Sequence, residues 1–516
     1  MIPLSLLLVP VLAAGLIALL PEDSSLSKWL ALAASLATVG FSVLLWRNYP
    51  AGLDGYLSGG LYEVNVTWIP SIGASFFLGI DGISLLFIGL TALLILVSVL
   101  FSWHAVTKRV NLYYSFLLLL SASMFGVFMA RDLLLFYLFW EAMLLPMYFL
   151  IGIWGGARRI YASIKFVLYT LTGSLLMLVA IVVLHHYHAS QYLTETMALS
   201  DLYRVNLPTG TGLFVFLAFL LSFAIKTPLF PLHTWLPDAH VEAPSAGSII
   251  LAGILLKVGI YGFIRLLVPF FWTLSLQWSG LVGVLAVVGI IYGGLVAWVQ
   301  EDVKKLVAYS SISHLGFVVL GIFALSTASV SGGLLQGVIH GINTGALFLI
   351  VGIIYSRLHD RKIENISGLA QEMPLLSTFL VITSLASIGL PGTNGFVGEF
   401  FILTSSYESL PLLTIFAVSG VIVSALYMLR LLRECVFGEV SDIVSDTTSL
   451  HLTEVVSLSL LTIAIFVMGL YPKPFMDRLE PTVSEILKTA RQTSGETTFD
   501  RGIQQADLPN DSEATQ

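Results

Sequence analysis

The sequence predicts an all-α polytopic membrane protein with about fourteen transmembrane helices. Three observations carry this. The 516 residues are 57% hydrophobic and only 11% charged, against about 25% charged in ordinary soluble domains. Apolar runs long enough to cross a ~30 Å hydrocarbon core recur along the chain. Two of these runs are interrupted by Pro or Gly in their middle, as in the discontinuous helices of transporters.

Taken in order, apolar runs bounded by charge, Gly or Pro fall near 2–20, 28–46, 83–103, 112–130, 132–152, 162–187, 211–232, 245–268, 276–299, 304–324, 330–356, 374–408, 411–434 and 452–472. The first lacks a positively charged start and is followed by PEDSS, so it reads as a retained span and not as a cleaved signal peptide. Asp81 in GIDGIS reads as a helix N-cap. Span seven carries Pro228 and Pro231 directly after Lys226, followed by an amphipathic HTWLPDAH. The segment 374–408 is too long for one crossing and is broken by Gly389, Pro391, Gly392, Gly395 and Gly398, which predicts two half-helices joined by unwound backbone. Broken spans seven and twelve are five spans apart. An odd separation gives two five-helix units opposite orientations, an inverted repeat. The resulting division is 1–110 (helices 1–3), 111–270 (helices 4–8), 271–436 (helices 9–13), 437–473 (a loop and helix 14) and 474–516, a polar and acidic C-terminal tail expected to be mobile.

Basic residues set the orientation. Lys28, Lys108, Arg109, Arg158, Arg159, Lys304, Lys305, Arg357, Arg361, Lys362, Arg430 and Arg433 fall on one set of alternate loops, whereas the other set holds Arg47, Arg131, Arg204 and Arg265. Both termini are therefore expected outside. The single cysteine, Cys435, excludes a disulfide framework and an iron–sulfur cluster held by this chain alone. His233, Asp238 and His240 match no zinc spacing and read as a loop or half-helix cap, so no metal is expected. No GxGxxG or phosphate-binding loop occurs. No cofactor in this chain and no nucleic-acid partner are expected.

Against this apolar background, six titratable groups fall near mid-depth of six spans: Glu141, Lys226, Lys257, His314, His340 and Glu399. Each alone has a structural reading as a satisfied buried group. Together they would cost on the order of 15 kcal/mol if uncompensated, comparable to a domain's net stability. They must be paired or hydrated. A row of Glu, Lys and His groups joined by water is what proton conduction requires, because the charge of one changes the proton affinity of the next. Glu399, near the start of a half-helix, gains from its positive dipole end. Gly333, Gly337, Gly341 and Gly345 line one face of span eleven and predict close helix packing, with His340 beside that face.

The stretches FWEAMLLPMY, FAIKTPLFPLHTWLPDAHVEAPSAGSIILAGILLKVGIYG, KKLVAYSSISHLGFVVLGI and GLPGTNGFVGEFFIL resemble the antiporter-like subunits of respiratory complex I over roughly residues 80–436. Glu399 is similar to the glutamate of the M-type branch (chain 4), where the other two branches usually carry lysine. The resemblance implies a proton-translocating module of a proton-pumping NADH–quinone oxidoreductase in a bacterial inner membrane. It implies Glu141 and Lys226 as an interacting pair, Lys257 and His314 as central relay positions, His340 as a further relay candidate and Glu399 as the terminal group towards the outside. It also implies that NADH, FMN, iron–sulfur clusters and quinone belong to partner subunits, among them neighbouring antiporter-like subunits. A multi-component sodium/proton antiporter subunit and a membrane-bound hydrogenase module are the competing readings, and an inert scaffold the third.

Overall fold

The computed structural model describes residues 2–52, 62–445 and 448–494. Among these, twelve helices are long and apolar enough to cross a membrane, and two further apolar helices are shorter, Ile2–Ala18 and Pro374–Ile388. In chain order the principal elements are α1 (Ile2–Ala18), α2 (Ser25–Asn48), the hairpin β1 (Val64–Ile69) and β2 (Ala74–Leu78), α3 (Gly82–Ala105), α4 (Val110–Met129), α5 (Leu133–Ala142), α6 (Leu144–Trp154) and α7 (Arg159–Tyr192). There follow α8 (Thr209–Lys226), α9 (Trp235–Glu242), α10 (Ser245–Phe270), α11 (Trp272–Trp298), α12 (Val303–Phe323) and α13 (Thr327–Leu358). The chain continues through α14 (Pro374–Ile388), α15 (Asn394–Ser409), α16 (Pro411–Leu431), α17 (Leu452–Leu470) and α18 (Lys473–Thr493).

Polar caps set several starts. Ser24, Asp81, Asp132, Asp302 and Ser326 each accept from a backbone N–H in the first turn of α2, α3, α5, α12 and α13. These bonds satisfy donors that the helix itself leaves open. The most apolar windows of α10 and α13 are buried throughout, whereas those of α2, α16 and α17 are only one-third buried. The helices bearing Lys257 and His340 thus form the centre, and the sparsely covered helices the rim.

Both interruptions occur where Pro and Gly predict them. α8 ends at Lys226 and the chain resumes helix at Trp235. α14 ends at Ile388, where Gly389 adopts φ +85°, a left-handed conformation suited to glycine, and α15 begins at Asn394. Two further irregularities were not expected from the sequence, although Pro146 and Pro269 lie just downstream and lack the N–H that would ordinarily bond the helical carbonyls of Ala142 and Arg265. Span five is divided at Met143, two residues past Glu141. α10 contains π-helical segments at Leu251–Leu255 and Phe263–Leu267, one on each side of Lys257.

The all-α class holds, with one small addition: β1 and β2 form an antiparallel hairpin with a register shift between Thr67 and Ile69. Two finer expectations are corrected. Within the expected polar tail 474–516, residues Lys473–Thr493 form a helix whose buried face comprises Met476, Leu479, Thr482, Val483, Ile486, Leu487 and Ala490. This helical spacing packs α18 against α3, α13 and the C-terminal end of α10, with Arg491 over the ring of Trp272 at the start of α11; residues 495–516 lie outside the described ones. Finally, Arg131 and Arg265 are not exposed loop charges. Both are buried and share the carboxylate of Asp81, with Arg131 Nη2 at 2.8 Å from Oδ2 and Arg265 Nη2 bonded to the same atom. Burial alone would raise the Asp81 pKa, but Arg265 and Arg131 together hold it down at about 2. Tyr261 and Tyr203 extend the cluster, receiving Arg265 Nε at 3.1 Å and donating to the Arg265 carbonyl at 2.8 Å, respectively.

Candidate functional site

Glu141 sits one residue from the end of α5, on its half-buried side. Lys226 is the last residue of α8 and is buried. The two form no ion pair within 4.0 Å, and neither Glu141 Oε1 nor Lys226 Nζ has a hydrogen-bond partner among the described residues. The lysine nitrogen instead lies 5.3 Å from the ring centre of Trp140 and 5.7 Å from that of Phe166. The backbone break after Lys226 is braced by Trp235, whose Nε1–H donates to the Ile225 carbonyl at 3.0 Å.

Beyond the break, α8 meets α10 at backbone distance. A Cβ on Gly259 would lie 2.3 Å from Thr227 Oγ1 and 2.8 Å from the Phe223 carbonyl, so glycine is required where α10 packs against the end of α8. Lys257 is completely buried. Its Nζ donates to the Ala252 carbonyl at 2.5 Å and lies 2.7 Å from Nδ1 of His340. Ala252 belongs to the first π-helical segment. Such a segment displaces carbonyls from the regular helical ladder, and here one of them receives the lysine.

His340 is followed by His314, with ring centres 5.9 Å apart. His314 Nδ1 lies 3.2 Å from Glu399 Oε1, and its Nε2 lies 3.2 Å from the Tyr427 hydroxyl. Gln336 Nε2 reaches the same carboxylate oxygen at 3.5 Å. Four of the six expected residues therefore fall in one row, Lys257–His340–His314–Glu399, with a ring contact and no hydrogen bond between the two histidines, while Glu141 and Lys226 form a separate group. His340 stands between Lys257 and His314, a central place where the family resemblance implied only a supplementary one. Glu399 is the sixth residue of α15, not its first. The helix dipole fades within the first turn, so His314 and Gln336, not the helix end, are its principal partners.

Two residues of this region escaped sequence reasoning. Tyr427, fully buried in α16, carries no signal that separates it from other membrane aromatics. His240 is not a loop cap: it is buried within α9, stacked on Phe348 with ring centres 4.7 Å apart, and within electrostatic reach of Lys304 and Lys257. Neither ring nitrogen has a hydrogen-bond partner among the described residues. Two cavities of about 480 and 360 Å³ meet around Val241 and Glu242, just past His240. Lys304 lines the second and donates to the Ala243 carbonyl at 2.6 Å. Its partly polar position in HTWLPDAH was the available clue.

A broken-helix bundle with a buried row of Lys, His and Glu defines the antiporter-like class of membrane subunits. The family described as "NADH:quinone oxidoreductase/Mrp antiporter, TM" matches residues 130–426. NADH-quinone oxidoreductase subunit M of Rhodobacter capsulatus is 42% identical over 493 residues, covering 93% of this chain and 95% of its own. A chain of respiratory complex I from Thermus thermophilus superimposes with a TM-score of 0.86 at 34% identity, over 95% of this chain and all of that one. A chain of the Mrp complex from Dietzia sp. DQ12-45-1b reaches 0.82 at 21% identity, over 96% and 98%, a likeness of fold. The chain belongs to the subunit M family of NADH–quinone oxidoreductase.

Proposed function

We propose that this chain carries protons across the membrane as a membrane-arm subunit of NADH–quinone oxidoreductase, driven by redox chemistry in other subunits. The observation that carries the reading is the row from Lys257 through His340 and His314 to Glu399, buried at every member, hydrogen-bonded at its two ends and joined in the middle by the ring contact of the two histidines. Each neighbour can accept a proton that the other releases, and each transfer changes the charge seen by the next.

In this reading Glu141 and Lys226 are the input. When they pair, the carboxylate stabilises charged Lys226; when a charge change from a neighbouring subunit draws them apart, Lys226 gives up its proton towards Lys257. His340 and His314 pass it to Glu399, next to the Gly389 break, and thence to the outside. Replenishment comes from the polar cavities near Glu242, past Lys304 and His240. We take the bundle as fourteen spans in two inverted five-helix units, 111–270 and 271–436, with both termini outside a bacterial inner membrane. The interruptions after Lys226 and at Gly389 support that plan, as does the clustering of cations on one set of loops. NADH, FMN, iron–sulfur clusters and quinone are assigned to partner subunits. The sodium/proton antiporter reading is less favoured, since the likeness to the Mrp chain is one of fold, whereas the oxidoreductase relative is 42% identical. The test is the ratio of protons pumped to NADH oxidised by the reconstituted complex bearing Glu141→Gln. A fall in that ratio is expected; an unchanged ratio would refute the input role.

A further inference from the structure

We propose that Trp140, together with Phe166, is the second seat of the Lys226 ammonium: an aromatic cage that receives the still-charged lysine as it is drawn away from Glu141, and holds it less strongly than the carboxylate does, before its proton passes on towards Lys257. The inference rests on the relay reading above and names what stabilises its separated state.

The geometry is specific. Lys226, Trp140 and Phe166 are all buried, and the ammonium lies over both rings, at 5.3 Å and 5.7 Å from their centres. These separations fall within the ~6 Å range of cation–π attraction, which strengthens when water is excluded. No oxygen takes the lysine's protons among the described residues. A bare ammonium in such a place would bear a heavy penalty as a buried charge; the rings compensate it at contact distance, and the Glu141 charge adds to this from further away. The cage is rigid. Trp140 packs on Phe136 and Phe223, each with ring centres at 5.7 Å, and Phe166 on Trp235 at 5.5 Å.

A simple packing role fits Trp140 poorly. A buried indole ordinarily finds an acceptor for its N–H, yet Trp140 Nε1 has none among the described residues. The ring is oriented by its face, not by its polar edge. Its place in the chain also matters. Trp140 and Glu141 are consecutive, so their side chains leave α5 about 100° apart. Trp140 points into the bundle, whereas Glu141 lies on the half-buried side beside exposed Ala142 and Leu145. Movement of one ammonium between neighbours on a single helix thus separates an inward position from an outward one. Trp140 is a positioning residue: it exchanges no proton.

The test replaces Trp140 by tryptophan carrying one to four ring fluorines, which weakens the π face stepwise with little change in shape. Proton pumping by membrane vesicles containing the assembled oxidoreductase is measured at a fixed rate of NADH oxidation, which also reports assembly. Pumping through this subunit is expected to fall stepwise, by about threefold to thirtyfold across the series. Trp140→Phe should lie near the top of the scale and Trp140→Leu at the bottom. A flat fluorotryptophan series overturns the cage. Lys226→Met measured in parallel separates the two ideas: normal pumping by that variant would remove the relay reading itself, whereas its loss alongside a flat series would remove the cage alone.

Discussion

The Nζ atom of Lys257 lies 2.7 Å from Nδ1 of His340, although 83 positions separate the two in the chain. In the proposed relay this contact makes His340 the first station beyond the central lysine. His340→Gln keeps a hydrogen-bonding side chain of similar reach but cannot take up and release a proton. Transfer through this subunit is expected to drop by about a hundredfold or more, read as a lower ratio of protons pumped to NADH oxidised. Normal pumping would take His340 out of the path.

Tyr427 holds the far nitrogen of His314 while Glu399 holds the near one. Tyr427→Phe removes a single hydrogen bond, worth about 0.5–1.5 kcal/mol, and leaves the ring in place. Pumping should slow by about twofold to tenfold and remain measurable. A complete loss would instead make the hydroxyl an obligatory carrier.

His240 is buried one residue before the cavity-lining Val241, and its ring nitrogens have no hydrogen-bond partner among the described residues. His240→Phe should preserve the stack on Phe348 and the assembly of the complex, yet reduce pumping by tenfold or more, on the order expected for a lost proton-transfer group. Equal pumping rates in mutant and parent would show that protons reach Lys257 by another way.

Asp81 is the shared counter-ion of Arg131 and Arg265. Its folded pKa is depressed from an ordinary 3.8 to about 2, so its stabilising contribution is present above about pH 4 and is lost as the pH falls through about 2. The shift corresponds to about 2.5 kcal/mol. Asp81→Asn should therefore lower the thermal unfolding temperature at pH 7 and remove this part of the acid sensitivity between about pH 4 and 2. Its cost should reach about 3–5 kcal/mol, because two buried cations lose their carboxylate. A parent-like melting temperature would contradict the assignment.

The titratable residues were legible because each is expensive where it stands. Glu141 and Lys257 interrupt apolar helices, and nothing in the surrounding sequence lowers that cost. The breaks after Lys226 and at Gly389 were legible from proline and glycine chemistry. The order of the row was not. Whether His340 precedes or follows His314 depends on how α10, α12 and α13 face one another, which local spacing does not determine. Asp81, Arg131 and Arg265 come from distant parts of the chain, and Asp81 already had a sufficient explanation as an N-cap. The helix α18 was legible in principle: Met476, Leu479, Val483, Ile486 and Leu487 repeat at helical spacing. Reading the segment by its polar composition concealed the pattern.

The glycine face of α13 has a mechanical consequence. A Cβ on Gly341 would lie 2.7 Å from the Gly253 carbonyl, and one on Gly345 would lie 3.1 Å from Leu94. With neighbours this close, α13 has little room to bend or turn beside His340. Its partner α10 carries an altered winding on each side of Lys257. The altered winding of α10 therefore meets the tight face of α13 directly, and in the proposed relay any change of that winding would be felt at once in the gap between the lysine and the histidine, while α13 keeps the next station in place.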